Sequence, residues 1–274
     1  MEIILELPKQ RPKLRAAIFD FDGTISTLRH GWEEVMEPFM IEMITGTLNS
    51  ADNKWNKKII QDVKQYINES TGIQTIFQMQ WLADAVKKYG KNPFAPTDPW
   101  WYKAEYNRRL IEIVNKRIKE IISGDKKPED FLIAGSKELL EAFKKNGIEN
   151  YAASGTDNPD VLNEARILGV DIYFKEIAGA PVGIANCSKE AVLKKLILDY
   201  GLKGLEVVVI GDGKVEISLG REAGAITLGV ASCEEKLSGI NPVKRQRLVN
   251  AGAHAIVGDF LEKDKILEWL GLEG

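Results

Sequence analysis

The chain has 274 residues, 44% hydrophobic and 28% charged, which is enough apolar surface for one large or two modest cores. That composition excludes a disordered chain, a fibrous one and a small disulfide scaffold. Thirty-seven basic residues against 40 acidic ones leave a formal charge of −3, which argues against a duplex-coating nucleic-acid binder.

The first residues, Met-Glu-Ile-Ile-Leu-Glu-Leu-Pro, show no basic region followed by a long apolar run. Neither a secretory leader nor a membrane span is expected. The apolar run 14–19 reads as a first strand. From residue 25 to residue 130 the pattern becomes helical, with apolar spacing in Ile59/Ile60/Val63/Ile67, Trp81/Leu82/Ala85/Val86/Tyr89 and Leu110/Val114/Ile118/Ile121. Its breaks are helix punctuation: Ser70-Thr71-Gly72, then a loop with Pro93, Pro96 and Pro99 in which Asp98 is the expected cap. Five of the six tryptophans (Trp32, Trp55, Trp81, Trp100, Trp101) fall in this stretch, more large apolar surface than a linker carries.

Short apolar runs then recur at 151–153, 205–210, 225–230 and 255–257, three of them just after a glycine or asparagine turn. Helical stretches lie between them, such as 189–200, where Ala191, Val192, Leu196 and Leu198 help to form an apolar side. This alternation predicts an α/β fold, a parallel sheet with helices on both faces. The sheet is expected to be split by an all-helical domain: core from 1–24 and 131–274, insertion from 25–130. Cys187 and Cys233 are too few for a disulfide framework, so inert thiols in a reducing cytoplasm are expected. With only His30 and His254 as imidazoles, the chemistry must come mostly from carboxylates.

Asp20-Phe21-Asp22-Gly23-Thr24 follows the first strand at once. Paired acids at a strand's C-terminal end sit where open α/β sheets hold ligands. Their mutual repulsion calls for a cation or a raised pKa, and Mg²⁺ with oxygen ligands meets that need; alternatively the residues simply make a surface turn. Ala153-Ser154-Gly155-Thr156 ends the second core strand before a helix opened by Asn158-Pro159, either an anion site or an ordinary cap. Lys189 opens a helix, where a cation opposes the helix dipole; it is either a functional cation or a solvated side chain. Gly211-Asp212-Gly213-Lys214-Val215-Glu216 puts two more acids about one helical turn apart after a very apolar strand.

In this order the four motifs resemble the haloacid dehalogenase-like hydrolase superfamily, over nearly the full length. The resemblance implies a Rossmann-like core with a helical cap inserted after the first motif, akin to phosphoglycolate phosphatases and β-phosphoglucomutases. It implies Asp20 as nucleophile and Asp22 as general acid and base. It further implies Mg²⁺ on Asp20, the Asp22 carbonyl and Asp212, and a phosphate held by Ser154, the Gly155 N–H and Lys189. The fourth motif of the family often ends in Asp; Glu216 stands there instead, so a water-bridged role is expected of it. The implied reaction is hydrolysis of a small phosphorylated metabolite through an aspartyl-phosphate. Asp22 favours phosphoryl transfer over dehalogenation, and the alternatives are a phosphosugar mutase and a noncatalytic binding protein.

Other motifs carry less. Gly211-Asp212-Gly213 imitates a dinucleotide fingerprint, but Glu216 takes the third glycine position. No Walker-type phosphate loop exists in the sequence. His254 reads as structural. Arg29, beside His30 where the chain leaves the core, is a substrate-anion contact or a solvated hinge residue. In the cap, Gln74 and Gln78 at i, i+4 either line a polar substrate pocket or face water, and Tyr102 is a further candidate substrate contact. Neither nucleic acid nor membrane is an expected partner.

Overall fold

The computed structural model describes residues 1–47, 54–71, 73–182 and 189–273, without the side chains of residues 54, 55, 189, 190, 192 and 196. Gly72 and Cys187 lie outside the described residues, as do the side chains of Trp55, Lys189, Val192 and Leu196. The chain starts with β1 (Glu2–Ile3) and β2 (Ala16–Phe19), then α1 (Trp32–Thr45), α2 (Lys54–Glu69), α3 (Thr75–Tyr89) and α4 (Pro99–Ser123). It continues with α5 (Ser136–Lys145), β3 (Glu149–Asp157), α6 (Asn158–Ile167), β4 (Glu176–Ala180) and α7 (Lys189–Asp199). It closes with β5 (Val207–Gly211), α8 (Lys214–Glu222), β6 (Ile226–Val230), α9 (Pro242–Asn250), β7 (Ala255–Val257) and α10 (Lys263–Leu270).

Two compact units result, one of residues 1–30 and 118–274, the other of residues 31–117. The first contains a seven-stranded sheet in the order β1-β7-β6-β5-β2-β3-β4. Every pairing is parallel except that of β1 with β7. This is the expected α/β architecture, and the alternation of side chains along β2 shows how both faces are covered. Ile18 belongs to a buried cluster with Tyr151, Val209 and Leu193 of α7. The next residue, Phe19, meets Phe143 of α5 at 6.0 Å between ring centroids. Gly220 lets α8 sit close on the sheet, since a Cβ there would lie 2.8 Å from Thr227 and 3.0 Å from Val209.

The second unit has helices and loops and no strand among its described residues. Tyr66 and Trp81 stack at 4.1 Å, joining α2 to α3. Phe39 of α1 packs against Tyr102 and Tyr106 of α4 at 6.3 Å. Asp98 caps α4 as expected, its Oδ1 accepting the Trp100 N–H at 2.9 Å. No described helix is long and apolar enough to cross a membrane.

Candidate active site

The strand order explains why distant motifs meet. β2 lies between β3 and β5, and Phe19 is in register with Ala152 on one side and Ile210 on the other. The residues that follow this register point are Asp20, Ala153 and Gly211, so the first, second and fourth motifs start at the same edge of the sheet. Asp20, Asp212 and Glu216 come together there, each able to offer a carboxylate oxygen within 4.8 Å of the others. They are only 7%, 8% and 1% exposed.

Each acid is held by its local fold. Asp20 Oδ1 accepts the Phe21 N–H at 2.8 Å. Gly23 turns the chain with φ of 76°, and a Cβ on it would lie 2.5 Å from Asp212 Oδ2, so both the turn and the close approach require glycine. Glu216 sits in the first turn of α8, where the dipole favours an acid, and its Oε1 accepts the Gly213 N–H at 2.6 Å. Asp22 Oδ2 accepts hydrogen bonds from Thr156 Oγ1 at 2.8 Å and Ser154 Oγ at 3.2 Å. Ser154 is itself oriented, because its Oγ accepts the Thr156 N–H at 3.0 Å. The other carboxylate oxygen of Asp22 is buried with no hydrogen-bond partner among the described residues.

Ser154 and Asp22 are thus in direct contact, with Gly155 between the two hydroxyl residues on β3. Lys189 opens α7. In the helical unit, Gln78 Nε2 donates to Ser70 Oγ at 3.1 Å, and Gln74 precedes α3, 4% exposed. The Tyr102 hydroxyl donates to the Pro96 carbonyl. Arg29 is not a solvated hinge residue, since its side chain is 11% exposed and lies among acids. Its Nη2 and Nε donate to Glu164 Oε1 at 2.6 and 3.1 Å, with Asp22 Oδ1 3.9 Å from Nε.

Several residues at the site escaped sequence reasoning. Thr156 was signalled only by its i, i+2 spacing from Ser154, which puts both hydroxyls on one face of a strand. Lys244 of α9 donates to Asp212 Oδ2 at 2.7 Å, to Glu234 Oε1 at 2.6 Å and to Ser232 Oγ at 3.2 Å. Ser232 Oγ in turn donates to the Gly23 carbonyl at 2.6 Å, and Glu234 Oε2 faces His30 Nδ1 at 3.5 Å. The available signal for Lys244 was a lysine just inside a helix opened by Asn241-Pro242, the kind of placement that singled out Lys189.

The electrostatics follow from burial. Desolvation lifts the Asp212 carboxyl above the usual carboxylate range; Lys244 opposes the shift, and Glu234 and Glu216 add to it. For Lys244 burial acts downward, but Asp212 and Glu234 outweigh it and the ammonium is held above its ordinary value. Glu234 is also pushed up by burial, yet His30 and Lys244 bring it down to about 2. Lys244 and Glu234 therefore offset one another in charge, and beside them Asp20, Asp212 and Glu216 gather three carboxylates within 4.8 Å of one another. A hard divalent cation with oxygen ligands fits that donor set.

Comparison with known proteins agrees with this geometry. Among curated proteins no sequence match is found. Similar solved structures include a predicted phosphatase from Clostridium acetobutylicum, with a TM-score of 0.58 and 19% identity over 94% of this chain and 100% of that one. A predicted phosphoglycolate phosphatase from Haemophilus somnus has a TM-score of 0.61 and 18% identity, covering 94% and 99%. A β-phosphoglucomutase from Clostridium difficile has a TM-score of 0.62 and 18% identity, covering 94% and 97%. At such identities these likenesses speak to the fold. The sequence model of the haloacid dehalogenase-like hydrolases matches residues 14–224, a span that contains all four motifs, and the chain belongs to that family.

Proposed function

We propose that the protein is a Mg²⁺-dependent phosphomonoesterase acting on a small phosphorylated metabolite, such as a sugar phosphate or a phosphoglycolate-like acid. The observation that carries this reading is the arrangement of Asp20 and Asp22. One acid lies in a buried cluster of carboxylates, and the other is held by two hydroxyls on the adjacent strand. Asp20 attacks the phosphorus, a new P–O bond forms, and the bond to the ester oxygen breaks. Asp22 gives its proton to the departing oxygen. It then takes a proton from water as the water oxygen attacks the aspartyl-phosphate, releasing inorganic phosphate and restoring Asp20. Ser154, the Gly155 N–H and Lys189 hold the equatorial oxygens.

Asp20, Asp212 and the Asp22 carbonyl would hold the cation, with Glu216 orienting a water. When bound, Mg²⁺ supplies positive charge to offset the nucleophile and the transferring phosphoryl. The similar structures include both phosphatases and a β-phosphoglucomutase, so the test must separate the two outcomes. The full chain is incubated with Mg²⁺ and a panel of phosphate esters, including β-glucose 1-phosphate, and the products are followed by ³¹P NMR. Inorganic phosphate is the expected phosphorus product. Net formation of glucose 6-phosphate would make the enzyme a mutase, and no turnover of any ester would make it a binding protein.

A further inference from the structure

Lys244 belongs to none of the four motifs, yet its ammonium donates to a proposed metal ligand, Asp212, at 2.7 Å. All three ammonium protons are used, on Asp212 Oδ2, Glu234 Oε1 and Ser232 Oγ, and its side chain is only 12% exposed. It stands in the first turn of α9, where the helix dipole disfavours a cation. Ser232 and Glu234 fix the ammonium from the loop after β6. Gly23 also lies close to Asp212 Oδ2, since a Cβ on it would be 2.5 Å away.

The same feature recurs across the cluster. Asp20 commits Oδ1 to the Phe21 N–H, Glu216 commits Oε1 to the Gly213 N–H, and Asp212 commits Oδ2 to Lys244. In the first two the partner is the backbone of the same turn. In Asp212 it is a side chain 32 positions away, so this one restraint can be removed by substitution. Denticity matters to metal choice. Ca²⁺ takes six to eight oxygens and accepts both oxygens of a carboxylate, whereas Mg²⁺ demands a small octahedron of single oxygens and waters.

We infer that Lys244 selects the metal: by occupying Oδ2 it confines Asp212 to one oxygen, so that the site takes Mg²⁺ and disfavours Ca²⁺. Glu234 cancels the charge of Lys244, so the restraint adds no net repulsion toward the cation. Lys244 is thus a positioning residue acting through Asp212. This inference rests on the metal reading above, and its test keeps the two apart.

Dissociation constants for Mg²⁺ and for Ca²⁺ are measured by titration calorimetry on chelator-stripped full chain, without substrate. The proteins are wild type, Asp212→Asn, Lys244→Met and the charge-balanced Lys244→Met/Glu234→Gln, with Lys244→Gln in reserve should a methionine variant fail to fold. Wild type should prefer Mg²⁺, and Asp212→Asn should lose most of that binding. In both methionine variants the preference should shift toward Ca²⁺ by about tenfold or more, the scale of residues that orient a metal ligand; Lys244→Gln should shift the same way. An unchanged preference in folded variants that still bind Mg²⁺ would overturn the role of Lys244 and leave the metal reading intact. A shift in the single variant alone would assign it to the uncovered charge of Glu234 and also overturn the role. Mg²⁺ binding that survives Asp212→Asn at full strength would overturn both.

Discussion

Arg29→Met removes the partner of a carboxylate that has almost no access to water. Glu164 is 2% exposed at its side chain and Arg29 is 11% exposed, and the two meet through the guanidinium Nε and Nη2. Burial pushes the Glu164 carboxyl up to about 7, even with Arg29 pulling it down. Removing one member of such a pair costs about 3–5 kcal/mol, whereas replacing both with apolar groups of similar volume is often neutral. For a chain of this size each kcal/mol lowers the melting temperature by about 2–4 °C. Arg29→Met should therefore melt about 6–20 °C below wild type, and Arg29→Met/Glu164→Leu should recover most of that loss.

The pH dependence has a definite sign. A carboxyl whose folded pKa lies above its unfolded value near 4.5 stays protonated in the folded state after the unfolded chain has released its proton. Stability therefore falls as pH rises from about 4.5 through the folded pKa. Loss of Arg29 raises that pKa further, so the Arg29→Met deficit should grow between pH 5 and pH 8. Denaturant unfolding followed by circular dichroism at both pH values measures it. A deficit below about 1 kcal/mol, with no recovery in the double variant, would refute the reasoning. Arg29 would then be a residue whose contact with Glu164 holds nothing, and a raised KM in Arg29→Met would return it to the substrate role.

Two further outcomes are expected. Thr156→Val removes the nearer hydroxyl from Asp22; a hydrogen bond to a charged group contributes about 1.5–3 kcal/mol, so kcat should fall about 10- to 100-fold, and a change confined to KM would contradict this. Burial, aided by the Arg221 charge, lowers the His254 imidazole to about 4, so the unfolded chain gains a proton near pH 6.5 that the folded one refuses. Stability should fall as pH drops from 6.5 toward 4, by at most about 3 kcal/mol. Unfolding titrations of His254→Gln should show a flatter profile over that window, and an unchanged slope would exclude His254 as the cause.

What the sequence revealed depended on how local the information was. Asp20, Asp22 and Asp212 each follow an apolar run within one turn, with Glu216 about one helical turn beyond Asp212, so strand, turn and acid are read in a single window. That these turns share one edge of the sheet then follows from parallel topology. β1 is two residues long and β4 reads Glu-Ile-Ala-Gly-Ala, too short or too small-sided for a periodic signal. α1 was not singled out because apolar residues are dense around it and Pro38 interrupts its pattern. β3 runs on to Asp157, beyond its apolar stretch, and so brings Thr156 level with Asp22. Arg29 and Glu164 are 135 positions apart, and Lys244 and Asp212 are 32 apart. Such pairs belong to no motif and arise only when the sheet assembles.

The central claim is that Asp20 accepts the phosphoryl group, and trapping the covalent intermediate tests it most directly. The enzyme is mixed with Mg²⁺ and its best ester from the panel, quenched during turnover, reduced with borohydride and mapped by peptide mass spectrometry. An aspartyl-phosphate is reduced to homoserine, whereas a free carboxylate is untouched. The account predicts homoserine at position 20 and at no other aspartate, with none in Asp20→Asn, which should also release no phosphate. Homoserine at another position, or phosphate release by Asp20→Asn at the wild-type rate, would contradict it.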